Sequence, residues 1–281
     1  SPISFSLFFQ PILFIFFNSP SFFSNASVSF TLTLTSLFSL HRSANSKLSD
    51  HPQQIFHSNP SNPNFSSTME EALELARAKD TKERMAGVEH LHQLLEASSK
   101  PLTSSEVTSL VDTCLDLLKD NNFRVSQGGL QALASAAVLA GDHLKIHFNA
   151  LVPAAVERLG DGKQPVRDAA RRLLITLMEV SSPTIIVERA GSYAWEHKSW
   201  RVREEFARTV TSAINLFAST ELPLQRAILP PILHMLNDPN HSVRDAAISC
   251  IEEMYTQIGH QFQEELQRHQ LPSYMISLEQ N

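Results

Sequence analysis

After Met69 the apolar side chains fall at steps of three and four. Val107, Leu110, Val111, Cys114, Leu115 and Leu118 form one run, Leu151, Val152, Ala155, Val156 and Leu159 a second, and Ile228, Ile232, Leu233 and Leu236 a third. Between and beyond them lie Leu130, Leu133, Ala134, Ala137 and Val138; then Ala170, Leu173, Leu174 and Leu177; then Phe206, Val210, Ala213, Ile214 and Phe217; then Ala247, Ile248, Ile251, Met254 and Tyr255. That spacing puts each set on one face of a helix. Gly and Pro fall between the runs, at Pro101, Gly141, Gly160, Pro183, Pro223 and Pro239. No strand-like alternation of useful length interrupts them, so the pattern predicts an all-α protein.

The helices repeat. Residues 119–126 (KDNNFRVS), 160–167 (GDGKQPVR), 196–203 (EHKSWRVR) and 237–244 (NDPNHSVR) align, and their valines, Val125, Val166, Val202 and Val243, are 41, 36 and 41 residues apart. A weaker copy lies at 80–84 (DTKER). A period near 40 with two helices per unit belongs to the HEAT/armadillo class. The expected architecture is an α-solenoid of about five stacked helix pairs, built from ten or eleven antiparallel helices.

Residues 1–68 read differently. They hold twelve of the 17 Phe, none of the eight Gly, and only Arg42, Lys47 and Asp50 as Lys, Arg, Asp or Glu. Pro2, Gln10, Pro11, Asn18 and Pro20 break the apolar run that a membrane span would need, and no basic flank precedes it. The expectation is a non-globular, disordered segment of translated upstream sequence, with Met69 as the true start. A cleaved signal or a membrane anchor is the alternative. Residues 69–272 are the expected folded domain, and 273–281 a truncated tail.

Without residues 1–68 the chain carries 21 basic and 28 acidic side chains, a net of −7. This excludes a nucleic-acid or anionic-membrane binder driven by overall charge. Two Cys exclude a disulfide scaffold; Cys114 and Cys250 fall on apolar stripes and read as buried thiols. His143 and His147 stand four apart without an evident third ligand, so no metal site is expected. Phosphate-loop, nucleophile-elbow and zinc-protease motifs are absent, and neither a catalytic residue nor a cofactor is expected.

The turns carry a pattern of their own. Asp161 and Asp238 lie six residues before Arg167 and Arg244, and Pro153 and Pro230 lie eight before those Asp. This Pro, Asp, Val, Arg set resembles that of HEAT repeats, which implies a hydrogen-bonded ladder between stacked repeats built on the pairs Asp161–Arg167 and Asp238–Arg244, with Arg203 beside them. Ser126 takes the Arg position of one repeat and His197 the Asp position of another.

Residues 69–80 (MEEALELARAKD), 151–161 (LVPAAVERLGD), 187–195 (VERAGSYAW) and 237–247 (NDPNHSVRDAA) together resemble a TOG domain, and look most like the first TOG domain of the plant CLASP family of CLIP-associated microtubule regulators. The resemblance implies a non-enzymatic tubulin- or microtubule-binding module, located at the microtubule cytoskeleton of the cytoplasm in cortical arrays and spindle. It also implies other cytoskeletal regulators as further partners, without nucleic acid or a membrane span. By position it implies Lys82, Phe123, Arg124, Lys163, Lys198, Trp200, Arg201 and His241 as contacts, on loops that would meet acidic tubulin. Many tubulin-polymerase TOG domains have a Trp in the first loop, where Thr81 stands here. That departure leaves two readings of the edge, binding to lattice tubulin or another role. The alternative function is a generic HEAT adaptor without tubulin binding.

Overall fold

The computed structural model describes residues 65–217, 222–258 and 262. The expectations for most of residues 1–68, and for the tail 273–281, lie outside the described residues.

Ten α-helices are described. They are α1 (Phe65–Ala76), α2 (Thr81–Ala97), α3 (Ser104–Leu117), α4 (Phe123–Ala140), α5 (Phe148–Arg158), α6 (Gln164–Val180), α7 (Pro183–Ala194), α8 (Trp200–Phe217), α9 (Leu222–Met235) and α10 (His241–Ile258). A 3-10 helix, Gly141–His147, joins α4 to α5. The helix α1 starts four residues ahead of Met69, and Met69 itself is buried.

The helix starts follow local chemistry. Thr103 caps α3 in a reciprocal box, accepting from the Glu106 N–H while the Glu106 carboxylate accepts from the Thr103 N–H. Asp80 and Asn122 cap α2 and α4, and Pro165 and Pro183 stand in the first turns of α6 and α7. Gly141 closes α4 at φ +53°, a conformation costly for a residue with a Cβ.

The helices pair in chain order, α1 with α2 through α9 with α10, and the pairs stack. Odd-numbered helices form one layer and even-numbered helices the other. The repeat valines Val125, Val166, Val202 and Val243 sit between the layers and are fully buried. The apolar runs of the sequence line this continuous core except at Val138 and Tyr255, which end their runs on the exposed side of α4 and α10. One close approach sets the spacing of the first pair. A Cβ on Gly87 of α2 would stand 2.3 Å from the main-chain nitrogen of Ala76 in α1.

Candidate functional site

The loops within the pairs, residues 77–80, 118–122, 159–163, 195–199 and 236–240, come together on one edge. Each loop turns around a side-chain acceptor that takes the N–H two residues ahead: Asp80 from Lys82, Asp120 from Asn122, Asp161 from Lys163 and Asp238 from Asn240. In the fourth loop His197 takes over this role, its Nδ1 accepting from the Ser199 N–H at 3.1 Å. Its Nε2 is then the protonated nitrogen, 3.2 Å from the Glu157 carboxylate of the preceding repeat.

Arginines link consecutive loops, with a connectivity that corrects the one read from spacing. Arg167 and Arg244 do not pair with the carboxylates six residues before them. They donate to main-chain carbonyls there, Arg167 to Asp161 at 2.8 Å and Arg244 to Asp238 at 2.7 Å. The carboxylate instead comes from the next repeat. Arg84 reaches Asp120 at 2.6 Å, and Arg203 grips Asp238 with Nε at 2.7 Å and Nη2 at 3.0 Å. The cause is the turn itself: its side-chain acceptor faces back along the stack, toward the arginine of the preceding repeat, leaving only the carbonyl within reach of its own arginine.

Where the sequence departs, the links change. Ser126 replaces the arginine of the second repeat and donates to the Leu118 carbonyl, so Asp161 takes Arg158, the last residue of α5 in its own repeat, at 3.4 Å. With His197 in the Asp place, Arg167 turns to Glu205 of α8 at 3.1 Å, and Arg171 binds the same carboxylate. Glu205 is buried, and sequence reasoning missed it. The signal was there: a repeat that lacks its Asp needs another acid for the arginine before it.

The outer surface of the edge carries the residues implied as contacts. Lys82, Arg124, Lys163, Lys198, Arg201 and His241 are exposed. Phe123 and Trp200 are half-buried first residues of α4 and α8, packed inward against the core. The Arg201 guanidinium lies 4.8 Å from the Trp200 ring centre; Arg124 and Lys163 lie 5.9 and 5.7 Å from that of Phe123. The edge therefore presents cations above rings rather than bare rings.

Other candidates have structural places. The 3-10 helix puts His143 and His147 off a shared α-helical face, and His147 meets Thr108 at 3.2 Å. Among the described residues no cluster of potential metal ligands forms, and no helix is long and apolar enough to cross a membrane. Cys114 and Cys250 are buried.

With this geometry in place, the family is decided by one match. Residues 73–277 fit the model of the XMAP215/Dis1/CLASP TOG domain. The chain belongs to this family. Over 208 residues this TOG domain is 85% identical to a CLIP-associated protein of Arabidopsis thaliana, a match covering 74% of this chain and 14% of that protein. The chain thus spans about one seventh of that relative's length. The crystal structure of the MAST/Orbit N-terminal domain superposes with a TM-score of 0.68 at 25% identity, covering 74% of this chain and 92% of that one. A structure from work on microtubule plus-end tracking by XMAP215, CLIP-170 and EB1 has a TM-score of 0.63 at 19% identity, covering 76% and 89%, and shares the fold.

Proposed function

We propose that this TOG domain is the tubulin- or microtubule-binding module of a CLASP-type microtubule-stabilising and -organising protein. It acts as a binding module, not an enzyme, at the microtubule cytoskeleton of the cytoplasm, in cortical arrays and spindle. Residues 69–272 form the module. The carrying observation is the concentration of Lys82, Arg124, Lys163, Lys198 and Arg201 on one edge of an otherwise acidic domain. A cationic ridge complements acidic tubulin and steers its approach while the rest of the surface repels it. The likeness to a CLIP-associated protein and to a structure from plus-end tracking supports the same reading.

The test is co-sedimentation of the full chain with taxol-free microtubules. Wild type is expected to pellet, and Lys198→Ala/Arg201→Ala to lose most of that binding at an unchanged melting temperature. Unchanged binding by the folded double variant removes the fourth loop from the interface.

A further inference from the structure

Phe123 and Trp200 are half-buried, so only part of each ring reaches the surface. Their inner faces rest on the buried core, and cations lie over them from outside: Arg201 over Trp200, Arg124 and Lys163 over Phe123. These three cations differ from the arginines that link the loops. Arg84, Arg167 and Arg203 spend their donors on carboxylates and carbonyls. Arg124, Lys163 and Arg201 are exposed, and among the described residues none of them makes an ion pair.

Contact with a ring uses a cation's charge but none of its N–H donors. A guanidinium or ammonium seated this way is already restricted in rotamer, so binding a carboxylate costs less side-chain entropy. We propose that Phe123 and Trp200 are positioning residues that hold Arg124, Lys163 and Arg201 in place. The chemistry recognised at this edge is then a set of carboxylates landing on those three cations, not an apolar side chain meeting the rings. This rests on the edge being the tubulin-binding surface, and names what that surface reads.

A double-mutant cycle on the full chain tests it. Wild type, Trp200→Phe, Trp200→Leu, Arg201→Ala and Trp200→Leu/Arg201→Ala are compared by microtubule co-sedimentation and by titration with poly-L-glutamate at low salt, with melting temperatures alongside. Trp200→Phe keeps a ring and should stay within about twofold of wild type. Trp200→Leu keeps apolar bulk without a ring and should bind about two- to fivefold more weakly, the loss of an exposed cation–π contact. Arg201→Ala should lose at least as much, and the double variant no more than Arg201→Ala alone. Losses that multiply in the double variant, or a loss in Trp200→Leu with none in Arg201→Ala, would show that the ring itself meets the partner and overturn the proposal. If Trp200→Leu melts early, Phe123→Leu with Lys163→Ala repeats the cycle at the other ring. A wild type that binds poly-L-glutamate but not microtubules removes tubulin as the partner, and the cycle is read on the polymer. A wild type that binds neither overturns both.

Discussion

Arg203 of the fourth repeat holds Asp238 of the fifth through two nearly parallel hydrogen bonds, Nε to Oδ2 at 2.7 Å and Nη2 to Oδ1 at 3.0 Å. A forked contact of this kind fixes angle as well as distance. The carboxylate is 8% exposed and the guanidinium 14%, so the pair is poorly solvated. Removing one partner of such a pair costs about 3 kcal/mol. For a domain of this size that is a fall of about 6–12 °C in melting temperature. Arg203→Ala is expected to show it in a thermal melt, and Arg244→Ala, whose contacts are carbonyls, to show clearly less. Equal losses would return the ion pair to Asp238 and Arg244.

The same pair sets a response to acid. Burial pushes the Asp238 carboxyl up, but the Arg203 hydrogen bond, the Asn240 N–H and the charges of Arg203 and Arg244 outweigh it and hold it below the usual carboxylate range. A depressed carboxylate contributes stability above its unfolded pKa of about 3.9, and that contribution disappears as pH falls through the folded value. The melting-temperature gap between wild type and Asp238→Asn should therefore be constant from about pH 7 to 5 and narrow below about pH 4. A gap that widens in acid would contradict the assignment.

His197 supports the fourth loop without the charge of an Asp. Asp at this position keeps an acceptor for the Ser199 N–H and gives Arg167 a second carboxylate to approach; Ala keeps neither. We expect His197→Asp to stay within about 1 kcal/mol of wild type in urea unfolding, and His197→Ala to lose about 1–2 kcal/mol. An alanine variant as stable as wild type would show that the loop does not depend on this turn.

The two thiols should be inert in the native protein. Burial pushes both Cys114 and Cys250 up to about 12, against a smaller opposing effect of Arg77 on the first and of the Thr211 hydrogen bond on the second. Ellman's reagent at pH 8 should titrate two thiols in guanidinium and close to none without it. Rapid reaction of the folded chain would mean that the core opens locally.

Gly87→Ala should be costly out of proportion to its size. The added methyl meets the backbone of Ala76, which cannot rotate away, so α1 must move off α2. Overpacking of this kind costs about 1–3 kcal/mol. A denaturant midpoint equal to wild type would show that α1 shifts freely.

The sequence carried the architecture because repetition is a one-dimensional signal. Val125, Val166, Val202 and Val243 recur with the period of the helix pairs, and the apolar runs proved to be core at all but Val138 and Tyr255. The linking contacts were harder, because spacing along the chain does not say which neighbour a side chain faces. Asp161 stands six residues before Arg167, yet only its carbonyl is in reach, and the acid that matters, Glu205, is 38 residues away. The setting of the rings was not legible for a related reason. Phe123 and Trp200 look exposed when read as turn residues. As first residues of helices they lean on the core, and their cationic neighbours, one of them 40 positions on, lie over them.

The direction of the loop links bears on how such an array can be rearranged. Each arginine faces forward, so a repeat is compatible with any successor that presents an acid. Without the second pair Arg84 would meet Asp161, and without the fourth Arg167 would meet Asp238; both links would be complete. Without the third, Ser126 would precede His197, and the buried Glu205 would lose both arginines that now neutralise it. Five pairs of similar outline are therefore not equivalent modules at this edge: the fourth is bound to whatever supplies a guanidinium before it. Insertions and deletions among relatives should respect that one seam.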